Sequence, residues 1–347
     1  MHEVSRPDEA AAVSGGDGPE MWDAVLELIR GAGTITISGH TNPDGDAIGS
    51  VLALGMAIRG AWPGKEVALL LADDQPVPRI YRFLACSDEM VPARGYHEAP
   101  DLFIAVDSPS LDRLRDAAEV ARRARATAVI DHHPAPSEFA DVVVRRPQAA
   151  AAAALIADLM ASSDMEITPA IADCLFTGLV TDTGRFQYQN ADEEAFRCAS
   201  LLVASGADPA HVASEVYQSE RVGYLKLEGL VMDRIGLAAE GRIAYSYATA
   251  ADLAAYGVEH DECDGLIDAV RRVGGVQVCL FCKEGRTPGI VRGSLRAKDG
   301  HDVSHVAARF GGGGHAAAAG FSFHGTVQEA LDAVLPELEA LLAEDER

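Results

Sequence analysis

The sequence predicts an α/β protein in two parts. A parallel-sheet N-terminal domain is joined by a helical linker to a smaller mixed α/β C-terminal domain. Three observations carry this reading. Short, continuously apolar runs alternate with helical stretches from Thr34 to Arg145, as expected of strands buried on both faces of a helix-covered parallel sheet. A mainly helical segment then runs from about Asp192 to Arg234, and strand-like runs resume beyond it. At 347 residues the chain has room for two cores. The expected boundaries are a disordered lead-in over 1–20, a first domain over 21–190, the linker over 191–236 and a second domain over 237–347.

An amphipathic helix from Trp22 to Arg30 leads into a strand at Thr34–Ser38. After a loop over His40–Asp46, a helix continues from Ala47 to Arg59, then a strand at Val67–Leu71 and a helix around Pro78–Leu84. The strand Leu102–Val106 ends directly at Asp107, and a charged helix over Leu111–Arg125 returns the chain to a strand at Ala126–Ile130. Next come a strand at Val142–Arg145, an alanine-rich helix over Ala149–Met160 and a helix from Pro169 running toward Phe186. In the second domain, strands are expected at Arg242–Ala248, Val276–Lys283 and Ile290–Arg296, with helices at Cys263–Val273, Val303–Phe310 and Val327–Ala343.

The composition restricts function. Apolar residues make up 48%, and no apolar run approaches the ~18 residues of a membrane span. Met1 to Glu20 shows no basic-then-apolar leader pattern, so a cytoplasmic protein is expected. With 29 Lys+Arg against 53 Asp+Glu the formal charge is -24. Such a surface repels long duplex nucleic acid, yet it leaves room for a small phosphorylated substrate held by metals and a few arginines. Six cysteines are scattered, and Cys279 and Cys282 form a C-x-x-C without a second pair at zinc-ribbon spacing. Reduced core thiols are the expectation.

Ligands of an open parallel sheet collect beyond the carboxyl ends of its strands. His40, Asp44 and Asp46 follow one expected strand, Asp107 ends a second, Asp131-His132-His133 ends a third, and Asp182 can join from its loop. Singly, each has an ordinary reading: Pro43-Asp44-Gly45-Asp46 as a turn, an aspartate after a strand as a helix cap, paired histidines as surface residues. Their recurrence at successive strand ends is what those readings leave unexplained. Aspartates crowded on one rim repel unless cations neutralise them. Oxygen and imidazole donors without thiolates suit Mn²⁺, or else Mg²⁺ or Co²⁺, and this many ligands suits two ions rather than one.

His40-x-x-x-Asp44-x-Asp46, Asp107-Ser108, Asp131-His132-His133 and Thr181-Asp182-Thr183-Gly184 resemble, in order, the four motifs of the DHH phosphoesterase superfamily. Gly293-Ser294-Leu295-Arg296 and the run Gly311 to Gly320 resemble the signature of the DHH-associated C-terminal domain. Within the superfamily, the layout is most similar to the NrnA-type nanoRNase, phosphoadenosine phosphatase and cyclic di-AMP phosphodiesterase group. The resemblance implies that His40, Asp44 and Asp107 hold one metal. It implies that Asp46, Asp107, His132 and Asp182 hold the other, with Asp107 bridging. It gives Asp131 the role of orienting an imidazole and His133 that of facing the substrate.

Gly311–Gly314 remove every Cβ before His315, which lets backbone N–H groups approach an anion; a flexible loop is the plainer alternative. With Arg296 at a strand end, a phosphate cradle of Gly311, Gly312, Gly313, Gly314, His315 and Arg296 is expected. Arg185 and Arg271 are further candidate phosphate contacts, although Arg271-Arg272 also reads as a solvated helix face. Ala149–Ala154 is unbroken alanine, where the family frequently has small hydroxyl residues. The expected function is two-metal hydrolysis of short oligoribonucleotides and small nucleotides (pApA, cyclic di-AMP, 3′-phosphoadenosine 5′-phosphate), with a homodimer through the first domain. The rivals are an inorganic pyrophosphatase or short-polyphosphatase and a non-enzymatic nucleotide sensor. A RecJ-type exonuclease would need basic and aromatic strand-binding surface, against a charge of -24 and 6% aromatics.

Overall fold

The structure, a computed structural model, describes residues 19–134, 139–298 and 300–344. The expected lead-in lies outside them apart from its last two residues, which open a 3₁₀ turn at Pro19–Trp22. Contacts divide the chain into two compact units at Ser219/Glu220.

The first unit begins with α1 (Asp23–Gly31), whose Val25, Leu26 and Ile29 are buried. There follow β1 (Thr34–Ser38), α2 (Gly45–Ala61), β2 (Glu66–Leu71), a short β3 (Val91–Pro92), β4 (Leu102–Val106), α3 (Ala117–Arg123), β5 (Ala126–Asp131) and β6 (Val142–Arg145). All pairings in this sheet are parallel, in the order β3-β2-β1-β4-β5-β6. The order reverses between β1 and β4, so a crevice opens beyond their carboxyl ends. Every residue of β4 is buried, as its unbroken apolar sequence requires. Helices α4 (Ala152–Ala161), α5 (Pro169–Asp182), α6 (Glu193–Ala204) and α7 (Pro209–Tyr217) complete the unit.

Four expected helices are shorter or broken, one of them in the second unit, where Cys263–Val273 gives a 3₁₀ turn at His260–Gly265 and a short helix at Leu266–Arg271. Around Pro78–Leu84 only a 3₁₀ turn forms, at Arg79–Tyr81, because Pro76 and Pro78 hold the preceding residues extended. The helix over Leu111–Arg125 is split by Arg115 at φ +46° into a 3₁₀ turn and α3. Ala149–Ala151 precede α4 instead of opening it, with Ala151 fully extended.

The second unit contains α8 (Val222–Asp233), β7 (Gly236–Ala238), β8 (Ile243–Ala248), α9 (Ala250–Tyr256), α10 (Leu266–Arg271), β9 (Val278–Glu284), β10 (Ile290–Ala297), α11 (Ser304–Arg309), β11 (Gly313–His315), β12 (Ala318–His324) and α12 (Val327–Glu344). The helical stretch expected as a linker is thus shared, α6 and α7 lying in the first unit and α8 in the second. The sheet order is β11-β12-β10-β9-β8-β7, antiparallel except for β8 with β9. Cys279 and Cys282 sit three apart on β9 and enter different core clusters, so the two thiols point to opposite faces of the sheet. Burial pushes them up to about 11 and about 12, as core thiols. Among the described residues no helix is long and apolar enough to cross a membrane.

Candidate metal centre

Loops at the ends of β1, β4 and β5, together with the end of α5, gather the acidic and imidazole side chains. After β1, Asp44 caps α2: its Oδ1 accepts the N–H groups of Asp46 and Ala47 at 3.0 and 3.1 Å. Its Oδ2 lies 3.9 Å from His40 Nε2. The Pro-Asp-Gly-Asp run is therefore both the helix cap of the ordinary reading and a donor to the cluster. His40 Nε2 also stands 3.4 Å from Asp107 Oδ2, while its Nδ1 contacts the Thr41 carbonyl at 2.8 Å and Arg113 Nη2 at 3.2 Å.

On the other side of Asp107, His132 Nε2 is 3.4 Å from Oδ1, 3.8 Å from Asp46 Oδ2 and 3.6 Å from Asp182 Oδ2. The Ala149 carbonyl contacts His132 Nδ1 at 3.1 Å, which orients the ring. Two donor groups result, His40/Asp44/Asp107 and Asp46/His132/Asp182, each with its ligand atoms within 4.8 Å of one another. Asp107 lies between them at φ +55°, in the left-handed region that aspartate enters more readily than most side-chain-bearing residues.

The alanine run has a use that its composition hid. Ala152 N–H donates to Asp46 Oδ2 at 2.6 Å and Ala153 N–H to Oδ1 at 2.8 Å. The start of α4 thus holds Asp46 by backbone, with Ser50 Oγ adding a bond at 3.2 Å. Gly178 makes room for this contact: a Cβ there would meet Asp46 Oδ1 at 2.7 Å and Ala153 Cβ at 2.8 Å.

Burial and crowding shift the titration of the clustered groups. Burial, with the charge of Asp107 next, pushes Asp46 up to about 7. Burial also pushes Asp182 up to about 8, against the opposing pull of His132. Burial opposes ionisation of Asp107 too, but the imidazoles of His132 and His40 beside it prevail and hold it below the usual carboxylate range. For His40, burial disfavours the imidazolium, and Asp107 and Asp44 outweigh it to carry the group to about 9. Asp107 Oδ1 is buried yet accepts no hydrogen bond among the described residues, a costly arrangement unless a cation takes its lone pairs. This donor set, aspartate oxygens and imidazole nitrogens without thiolate, fits divalent metal.

Asp131 stands behind the cluster. Its Oδ1 is 2.9 Å from His133 Nδ1 and its Oδ2 3.2 Å from Arg145 Nε. Sequence reading missed Arg145, and the β5–β6 register that pairs it with Asp131 has no local signature.

In the second unit part of the glycine run is tied into the fold. Gly311 and Gly312 N–H groups donate to the Ala308 and Ala307 carbonyls at 3.0 and 2.9 Å, closing α11, and Gly313–His315 pair with β12. At Gly312 and Gly314 the missing Cβ atoms also serve close packing, since they would lie 2.0 and 2.5 Å from carbonyls of Gly320 and Ala318, whereas at Gly311 and Gly313 a Cβ would meet open space. The register puts Ala318 opposite both Arg296 and His315, so the basic pair shares one sheet face across a small residue. Arg185 is exposed in the first unit, and Arg271 is partly buried on α10.

Residues 34–179 match the DHH family, N-terminal domain, and residues 240–344 match the DHHA1 domain. The bifunctional oligoribonuclease and PAP phosphatase NrnA of Thermus thermophilus is 32% identical over 330 residues, spanning 92% of this chain and 96% of that protein. The chain belongs to the DHH family. The Bacillus subtilis protein of the same name is 26% identical over 326 residues, 92% of this chain and 99% of its own. An exopolyphosphatase-related protein from Bacteroides fragilis has a TM-score of 0.84 at 25% identity, over 94% of this chain and 98% of that one. This DHH protein is a phosphoesterase, and its acidic and imidazole clusters are suited to the metal such hydrolysis uses.

Proposed function

We propose that this DHH phosphoesterase hydrolyses short oligoribonucleotides and small nucleotides, among them pApA, cyclic di-AMP and 3′-phosphoadenosine 5′-phosphate. The observation that carries the reading is the meeting of two donor groups at one buried carboxylate, Asp107. His40, Asp44 and Asp107 would hold one divalent cation, and Asp46, Asp107, His132 and Asp182 a second. Mn²⁺ is the preferred ion for oxygen and imidazole donors, with Mg²⁺ and Co²⁺ as alternatives. When bound, the cations would acidify a water and neutralise charge on phosphoryl oxygens.

The chain's own groups position the ester. Asp131 accepts the Nδ1 proton of His133 and so orients the ring; when Nε2 also carries a proton, that N–H would hydrogen-bond a phosphoryl oxygen or pass its proton to the leaving oxygen. The metal-holding groups belong to the catalytic domain, 21–190. In the substrate-binding domain, 237–347, Arg296 and His315 supply charged and polar donors for a further substrate phosphate.

The test is a panel of pApA, cyclic di-AMP, 3′-phosphoadenosine 5′-phosphate and pyrophosphate, offered to chelator-treated protein with and without Mn²⁺. Nucleotide hydrolysis should return with Mn²⁺ and fall by more than about a hundredfold in D107N. Turnover of pyrophosphate alone, or nucleotide turnover indifferent to chelation, would overturn the proposal.

A further inference from the structure

Gly184, Arg185 and Phe186 follow one another at φ +54°, +62° and +60°. Glycine accepts such values freely, whereas arginine and phenylalanine do not. Strain of this kind persists where surrounding contacts over-determine it, and it gathers at functional sites. The contacts here are specific. The Val180 carbonyl, in the last turn of α5, accepts the Arg185 N–H at 2.7 Å and the Tyr217 hydroxyl at 3.2 Å. The Arg185 guanidinium lies over the Tyr217 ring, 4.6 Å from its centroid. Both partners of the stack are therefore tied to the helical turn that presents Asp182.

The guanidinium is exposed, and among the described residues it has no carboxylate or carbonyl partner. Other arginines of the chain, Arg145, Arg146 and Arg234 among them, are ion-paired. Stacking occupies the face of the guanidinium and leaves the donors along its edge available. A planar fork of N–H groups matches two oxygens of one phosphate. Tyr217 holds that fork in place, so less side-chain freedom is lost when an anion binds.

We propose that Arg185, stacked on Tyr217, contacts a substrate phosphate other than the one being hydrolysed and so sets which short nucleotides this site prefers. The inference rests on the proposed nucleotide phosphoesterase function. Its exposure places the contact at the rim, where the bound group is either a terminal 5′-phosphate or a neighbouring internal phosphodiester. The two share one chemistry, and substrate pairs separate them.

The experiment measures kcat/KM with Mn²⁺ for ApA, pApA and pApApA in the full chain, wild type and R185G. Glycine keeps the φ of +62° that position 185 requires. R185Q serves as a second charge-removing variant should glycine loosen the turn, and R185K keeps charge without the fork. In R185G the pApA:ApA ratio, or the pApApA:pApA ratio, should fall by about tenfold or more through KM, with R185K between. A fall in the first ratio identifies the terminal phosphate, a fall in the second the internal one. Ratios that both stay within about threefold of wild type overturn the assignment of Arg185. Wild-type protein inert on all three nucleotides would instead overturn the functional reading beneath it.

Discussion

Arg145 faces Asp131 directly across the β5–β6 ladder, with Nε 3.2 Å from Oδ2. Asp131 is fully buried and the Arg145 side chain is 12% exposed, so removing the cation leaves the buried Oδ2 without its charged partner, while His133 still serves Oδ1. R145M should lose about 1–3 kcal/mol of stability. The double variant R145M/D131N should cost less than the two single changes summed, by about 1 kcal/mol or more. Urea denaturation of the four proteins measures the coupling.

That pair marks where sequence reading stopped. Aspartates and histidines at strand ends were legible because a parallel sheet sends every strand's carboxyl end to one rim, so order alone predicts convergence. His40, Asp107, His132 and Asp182 accordingly sit together. Support from backbone was not legible: Ala152 and Ala153 hold Asp46 through N–H groups that any residue possesses. The glycine run showed the converse. Its missing Cβ atoms suggest an anion cradle, and at Gly312 and Gly314 the same absence also serves close packing, a use only the register reveals. The helix α9 carried a Thr249/Asp252 capping box, a signal present in the sequence and overlooked.

Gly178 should tolerate no side chain. A Cβ there would press on Asp46 Oδ1 and Ala153 Cβ, both under 3 Å away, and neither is the far end of a flexible chain. G178A should cost about 1–3 kcal/mol by overpacking. Because the displaced group is Asp46, it should also shrink the rise in melting temperature on adding Mn²⁺. Differential scanning calorimetry with and without the ion reads both effects.

The clustered carboxylates predict how the protein answers a cation. Chelator-treated protein should gain about 2.7 kcal/mol at Mn²⁺ a hundredfold above its dissociation constant. D182N removes one donor of the Asp46/His132/Asp182 group and should need a higher ion concentration for the same gain. A titration followed by thermal melting gives the comparison, and equal curves for the two proteins would remove Asp182 from the ligand set.

In the second unit, Asp252 accepts Arg234 through both oxygens, at 2.5 and 3.1 Å, and caps α9 through the Thr249 N–H at 2.8 Å. Arg234 in turn lies 4.7 Å from the centre of the Tyr247 ring. Hydrogen bonding from Arg234 holds the carboxyl at about 2, below the ~3.9 of an unfolded chain. A depressed acid stabilises the fold above its unfolded value and loses that contribution as pH falls through its folded one. The loss should therefore fall between about pH 4 and pH 2, on the order of 1–2 kcal/mol for a partly screened pair. Hydrogen exchange over Ala250–Tyr256 should quicken across that window in wild type, after correction for intrinsic rates. In D252N the same amides should already be less protected at pH 5 and change little below it; identical pH profiles in the two proteins would show that the Arg234–Asp252 pair does not hold α9 in place.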